Sequence, residues 1–298
     1  MADNNKVASM EGGLVTSSDD VPAVAANKKD EVPPEADSAK PDSKPTTATS
    51  AGSTANEADT DATLPDDEVY EMDENGEILL DEFGNPVRLP PPADPVPIFK
   101  KLTSSHPITV GKSLSRKERV AKGLTSTDLA YGEVTFDTMR NVLGQLKELD
   151  LLKKKKGTFI DLGAGTGKAV LAAAMLHSFE RCVGVEVLHS LHSASNELLE
   201  TFKDKYADEF RHNPEIEFVL GDIAEFPWKT ADIVFINMAA FTEPLVETIK
   251  EIASDMPKGA CCVTITKQLH LKSFEVLHTS EQELNWGQSH VYVHVKAY

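Results

Sequence analysis

The chain has 298 residues with 48 acidic and 30 basic side chains, a net charge of −18. No apolar run approaches the roughly 18 residues of a membrane span, and no signal-type apolar stretch follows Met1. A soluble intracellular protein, in nucleus or cytoplasm and with no membrane partner, is therefore expected.

The charge is unevenly spread. Residues 1 to 100 hold 22 acids and 7 bases, so this third carries −15 and the remainder only −3. Rich in Ala, Ser, Thr, Pro, Asp and Glu, and nearly free of aromatics before Tyr70, it cannot bury enough apolar surface to offset the entropy of ordering. Residues 1 to about 66 read as disordered. Beyond them one apolar island breaks the acidic third, Ile78-Leu79-Leu80 between Asn75-Gly76 and Gly84-Asn85-Pro86, with Val87 and Leu89 following. Turn residues around a short apolar run predict a small hairpin or docking segment. Pro90, Pro91, Pro92, Pro95 and Pro97 then read as a stiff extended linker. The expected division is 1–98 for the acidic tail and linker and 99–298 for one α/β domain.

Phe136, Met139, Val142, Leu143, Leu146 and Leu149 fall at helical spacing, predicting a helix over 134–152. The run Lys153 to Lys156 suits its negative end. With Arg116-Lys117-Glu118-Arg119 it is one of two basic clusters, which read either as solvated surface or as nucleic-acid or nuclear-import segments. A strand at 157–162 follows, then helix 168–177, strand 181–187, helix 191–210, strand 216–220, strand 231–237, helix 243–254 and strand 261–266. Such alternation means a parallel sheet. Strands at 273–280 and 289–295 have no helix between them and predict an antiparallel hairpin at the sheet edge.

The most informative segment is Phe159-Ile160-Asp161-Leu162-Gly163-Ala164-Gly165-Thr166-Gly167-Lys168. A phosphate-binding loop of the Gly-x-x-x-x-Gly-Lys-Ser/Thr type fails here, because Leu162 stands at its first Gly and Ala169 at its hydroxyl. A dinucleotide Gly-x-Gly-x-x-Gly is weakened, because the third glycine comes one residue early and Lys168 fills its place. The remaining pattern, Asp161-x-Gly163-x-Gly165-x-Gly167, resembles motif I of the class I S-adenosylmethionine-dependent methyltransferases. With no anion required, Asp161 is left to face a cationic amino group. Glu186 closes the strand Arg181 to Glu186, where a carboxylate grips a ribose diol; the bland alternative is a surface acid before a helix. Asp222, after the strand Ile216 to Leu220, suits an adenine amino group, with Ile223 against the ring; the alternative is an N-cap.

Tyr131-Gly132-Glu133 resembles the Tyr-Gly-Glu motif of the non-SET histone lysine methyltransferases, the disruptor-of-telomeric-silencing family, in which it precedes a helix leading to an Asp-x-Gly-x-Gly-x-Gly loop. Val234-Phe235-Ile236-Asn237-Met238-Ala239-Ala240-Phe241 is similar to that family's Val-Phe-Val-Asn-Asn-Phe-Ala-Phe strand end. Trp286-Gly287 and Val291-Tyr292-Val293-His294 are similar to its C-terminal hairpin. The resemblance covers roughly residues 120 to 298. It implies a Rossmann-like seven-stranded sheet with a C-terminal antiparallel hairpin, S-adenosylmethionine as cofactor, and methylation of a histone lysine, with a histone or nucleosome as partner. It also implies that Tyr131, Gly132 and Glu133 form a lid over the methionine end of the cofactor, with Glu133 or Thr135 near its amino and carboxylate groups. Phe241, Trp286 and Tyr292 would line a narrow lysine channel, with Asn237 accepting from the attacking amine; ordinary core packing is the alternative for these aromatics. Met238 departs from the family's second Asn. Two other readings stay open: a methyltransferase for another protein or a small molecule, and a non-catalytic module with this fold. The acidic tail suits a basic protein surface.

Cys182, Cys261 and Cys262 form no Cys-x-x-Cys pair and sit in apolar runs, so buried thiols are expected. His189 and His192 lie one helical turn apart without further ligands, and no metal is expected.

Overall fold

The computed structural model describes residues 71–73, 76–87, 93–152, 157–210 and 212–298. The disordered reading of residues 1 to 66, the turn residue Asn75, Leu89, the linker residues Pro90, Pro91 and Pro92, and the run Lys153 to Lys156 lie outside the described residues.

Around Ile78 the expected hairpin gains a third arm. Met72 bridges Ile78 and Leu80 bridges Pro86, both antiparallel. Two aspartates build the turns: Asp73 Oδ1 accepts from the Glu77 amide at 2.8 Å, and Asp81 Oδ1 from the Asn85 amide at 2.8 Å.

Pro95 and Pro97 correct the linker expectation, for they lie in the first turn of helix α1 (Pro95–Thr103). Their missing N–H groups would have had no helical partner there, and Asp94 caps the turn by accepting from the Val96 amide at 3.0 Å. Ile98, Phe99 and Leu102 bury its inner face, so the folded core begins before residue 99. Helix α2 (Ile108–Ala121) has few apolar residues to betray it, and the positions it buries are Gly111 and Ser115.

The elements that follow are α3 (Phe136–Glu148), β1 (Thr158–Leu162), α4 (Lys168–Leu176), β2 (Arg181–Glu186), α5 (His189–Lys205), β3 (Glu215–Leu220), β4 (Ile233–Asn237), α6 (Glu243–Ser254), β5 (Cys261–Ile265), β6 (Phe274–Leu284) and β7 (Gly287–Lys296). They form one seven-stranded sheet in the order β3-β2-β1-β4-β5-β7-β6. The first five strands are parallel, and β7 runs antiparallel to both β5 and β6. Both faces are covered. Phe159, Phe235 and Val263 pack with α1, α3 and α4 on one side, while Ile160, Leu162, Val234 and Ile236 meet Trp228 and α6 on the other. This is why β1 and β4 read as continuous apolar runs rather than alternating ones. Cys182, Cys261 and Cys262 are buried, and burial pushes the Cys261 thiol up to about 12.

The edge hairpin is longer than expected, because β6 and β7 run on to a two-residue turn at Asn285-Trp286. Glu281, Gln282 and Glu283 disguise the end of β6, but an edge strand tolerates charge and is protected by it. From β1 the chain builds outward to β2 and β3 on one side and to β4 and β5 on the other. That reversal opens a crevice at the carboxyl ends of β1 and β4, where parallel sheets hold ligands.

Candidate active site

The glycine turn leaves β1 with the Gly163 and Ala164 amides both donating to Val185 O at 2.9 Å. Gly163, Gly165 and Gly167 have φ of +85°, +57° and +81°, a left-handed conformation that side chains resist. Their surroundings differ. A Cβ on Gly167 would collide with the Phe218 ring and come within 2.9 Å of Ser195 Cβ, so this glycine seats α4 against the sheet and does not line the cavity expected of it. On Gly165 a Cβ would meet the Tyr131 ring at 2.8 Å, whereas on Gly163 the nearest atom is Phe241 Cζ at 3.7 Å. Gly163 and Gly165 both line the cavity.

Two buried acids flank the turn. Glu186 accepts from the Gly165 amide at 2.8 Å with one oxygen and from the Leu188 amide at 2.9 Å with the other. Burial still raises its carboxyl above the ordinary range, against the pull of those amides. Asp161 is 4% exposed, and no hydrogen bond reaches its carboxylate among the described residues. Burial, and then the neighbouring charge of Glu186, push it up to about 8. A cation placed beside it would favour the ionised form.

Glu133 already has one. Lys168 Nζ donates to both its oxygens, at 2.9 and 2.8 Å, and the Tyr131 hydroxyl and Thr166 Oγ1 also donate to it. The Tyr-Gly-Glu segment is thereby tied to the glycine turn. Tyr131 packs its ring between Gly111 and Gly165, where neither could carry a Cβ. Gly132 lies under Trp286, whose ring would stand 3.0 Å from a Cβ there. The side-chain Nδ2 of the neighbouring Asn285 donates to the Glu133 carbonyl, so the hairpin tip clasps the segment from the far side. Thr135, by contrast, caps α3: its hydroxyl accepts from the Thr138 amide at 3.0 Å, and it does not line the cavity.

The main cavity measures about 710 Å³ and opens along the strand ends. Asp222 and Ile223 lie after β3, Glu186 at the end of β2, Gly163 just after β1, Asn237 at the end of β4 and Phe241 after it. Asp161 sits in a narrow inner recess of about 30 Å³ that shares Gly163, Gly165 and Asn237 with it. Asp222 also fills the capping alternative, accepting from the Ala224 amide at 2.8 Å, yet it faces the cavity as well. Asn237 Oδ1 accepts from the Ala239 amide at 3.3 Å. Met238 is fully buried in the core and off the cavity. Tyr292 is not brought to the site. It lies mid-strand in β7, beside Thr264 and Thr279, with its ring 6.0 Å from those of His290 and His294.

Sequence reasoning missed Lys112, Asp128 and Asn285 on the cavity wall: Asp128 and Asn285 are lone polar residues in turns, with no period to read, and Lys112 lies on helix α2. Gly111 had a signal, a glycine inside a helical stretch, but that helix itself went unread.

A seven-stranded sheet in this order, with an acid-and-glycine turn after β1 and an acid closing β2, defines a class I methyltransferase fold. More narrowly, the chain belongs to the family of the histone methylation protein DOT1, whose family model matches residues 114–294. It is 27% identical over 154 residues to a histone-lysine N-methyltransferase, H3 lysine-79 specific, of Cryptococcus neoformans, covering 50% of this chain and 23% of that one. To the enzymes of the same description from Gibberella zeae and Drosophila melanogaster it is 26% and 25% identical, over 56% and 45% of this chain and 33% and 7% of theirs. The chain thus spans a third or less of the length of these relatives. Among solved structures, a putative RNA methyltransferase from Pyrococcus horikoshii is similar with a TM-score of 0.43 at 18% identity, over 61% of this chain and 96% of that one, a likeness too loose to bear on substrate. No helix among the described residues is long and apolar enough to cross a membrane.

Proposed function

We propose that the chain is an S-adenosylmethionine-dependent protein-lysine methyltransferase acting on a histone, in nucleosomes or free. One observation carries the reading: side chains suited to each part of that cofactor succeed one another along the strand ends. Asp222 and Ile223 at β3 suit an adenine, Glu186 at β2 a ribose diol, and Asp161 at β1, buried and without a donor, an ammonium group. Tyr131, Gly132, Gly163 and Gly165 would close over the amino-acid end, with Glu133 holding Tyr131 in place rather than meeting the ligand. Bound there, the cofactor supplies a methyl group on an already activated sulfonium.

What remains for the protein is to present a neutral amine in line, at about 3 to 3.5 Å. A free lysine, with a pKa near 10.4, is mostly protonated at neutral pH, and an apolar passage favours the neutral amine by desolvation. Phe241, Leu245 and Trp286 line the cavity with Asn237 and would form such a passage, with the Asn237 side-chain oxygen accepting from the amine. Met238 lies in the core, so the departure from the family's paired Asn falls outside this passage. A nucleosomal substrate implies the nucleus, and an amino-terminal third with 22 acids to 7 bases suits a basic histone surface.

Labelled S-adenosylmethionine, offered with nucleosomes, free histones or whole-cell extract, tests this. Label on a histone lysine that disappears in Gly163→Val is expected. Label confined to other components of the extract would keep the transferase and remove the histone.

A further inference from the structure

The peptide unit joining Phe241 to Thr242 is held at both ends by charged side chains from outside its own loop. On one end, Lys267 Nζ, from the turn after β5, donates to the Phe241 carbonyl at 2.8 Å. At the other, the Thr242 amide donates to Asp128 Oδ1, and Thr242 Oγ1 to Asp128 Oδ2 at 3.2 Å. Asp128 belongs to the short turn Thr127–Leu129 that precedes the Tyr-Gly-Glu segment.

Both anchors are themselves held. Asp128 Oδ2 accepts from Ser126 Oγ at 2.5 Å, and Lys267 Nζ reaches Glu243 Oε1 at 2.7 Å. Burial would raise the Asp128 carboxyl, but the Ser126 and Thr242 donors hold it below the ordinary range. Thr266, just before Lys267, keeps φ at +74°, a conformation that a β-branched residue adopts only where its surroundings impose it. A cation on the carbonyl and a carboxylate on the N–H polarise one peptide in the same sense, and such charge-assisted bonds are roughly twice as strong as neutral ones. They fix the plane of the peptide, and with it the root of the Phe241 side chain.

That side chain matters because its ring lines the cavity against the bare face of Gly163. We propose that Asp128 and Lys267 are positioning residues that set the Phe241 ring, and so the width of the passage by which the acceptor amine arrives. The proposal rests on the methyltransferase reading of the site. It separates two halves of that site: the strand ends of β1, β2 and β3 bind cofactor without the clamp, while turnover of the acceptor depends on it.

The full chain is compared with Asp128→Asn, Lys267→Met and the charge-conserving Lys267→Arg. S-adenosylhomocysteine affinity is read by calorimetry, methyl transfer by label on nucleosomes, and the Thr242 amide by hydrogen exchange. Expected are an affinity within about twofold of the parent, a kcat at least about tenfold lower in the Asn and Met variants, and Thr242 exchange faster by a similar factor. Glycine-turn exchange should stay unchanged, and Lys267→Arg should recover most of the turnover. Unaltered turnover in Lys267→Met overturns the proposal, as does parallel loss of cofactor affinity and turnover, which would mark the clamp as general scaffolding. Lys267 is 29% exposed on its side chain, so its variants carry the test should Asp128→Asn not fold. A parent chain that binds no S-adenosylhomocysteine overturns the methyltransferase reading and this proposal with it.

Discussion

Glu133 and Lys168 meet at 2.8 Å, with side chains only 12% and 11% exposed, and join the segment before α3 to the first turn of α4. Lys168 stands where a dinucleotide loop would have its third glycine, and its ammonium group neutralises a carboxylate that would otherwise be uncompensated in the same recess as Asp161. The consequence for the site is a division of labour. With Glu133 satisfied internally, the one unpaired buried carboxyl facing the inner recess is Asp161.

Removing one partner of such a pair leaves a buried charge uncompensated. Lys168→Met should therefore cost about 3 kcal/mol in urea denaturation, and adding Glu133→Gln should recover most of it. Equal stability of Lys168→Met and the parent would show that water reaches the pair freely.

Asp161 makes the site sensitive to pH in a definite direction. Its carboxyl lies at about 8 in the folded chain and near 3.9 when unfolded, so folding favours the protonated form. The stability this gives is full below about pH 4 and is lost as pH rises towards about 8. Asp161→Asn should accordingly melt above the ligand-free parent at pH 8 and approach it near pH 4. An ammonium group arriving at Asp161 would restore the ionised form, so S-adenosylhomocysteine binding at pH 7 should release about one proton. Calorimetry in two buffers of different ionisation enthalpy measures this directly. Binding with no proton release would place the ligand's amino group elsewhere.

How much of this was legible without coordinates depends on whether a residue's job is periodic. The sheet was readable because strands buried on both faces are continuous apolar runs and the helices between them repeat at 3.6 residues. The acids at the ends of β1, β2 and β3 were readable because strand ends are fixed by those same runs. Gly167 and Thr135 look like site residues in sequence, yet one yields space to Phe218 and the other caps α3. Tyr292 was drawn to the site by motif alone, whereas the alternation of β7 keeps it mid-strand beside Thr264 and Thr279. Helix α2 was illegible because the positions it buries, Gly111 and Ser115, make no apolar stripe, and the Asp128 to Thr242 contact because it joins residues 114 apart in sequence.

The three glycines of the turn should behave differently when each is replaced by alanine. All three sit at positive φ, so each pays roughly 1–2 kcal/mol of backbone strain. Gly167→Ala adds a collision with Phe218 inside the core and should lose a further 1–3 kcal/mol or so, seen as a lower melting temperature with or without ligand. Gly163→Ala meets nothing closer than 3.7 Å, so its fold should survive while a ligand lying against the turn is pushed away. A tenfold or greater loss of S-adenosylhomocysteine affinity is expected for Gly163→Ala. Unchanged affinity would mean that the ligand does not touch this turn.

Trp286 offers a reporter for the closed site. The chain has two tryptophans. Trp228 is fully buried, with its indole N–H donating to the Ile223 carbonyl at 2.8 Å. Trp286 is 37% exposed, lies over Gly132 on the cavity wall and donates to Ser289 Oγ at 3.2 Å. A ligand filling the cavity removes water from one face of that indole and leaves Trp228 sealed as before. Saturation with S-adenosylhomocysteine should therefore shift the Trp286 emission to shorter wavelength, and Trp286→Phe should abolish the change while leaving the affinity within about threefold. If Trp228→Phe abolished the change instead, ligand binding would be felt through Ile223 and the core behind it, and the hairpin tip would have no part in closing the site.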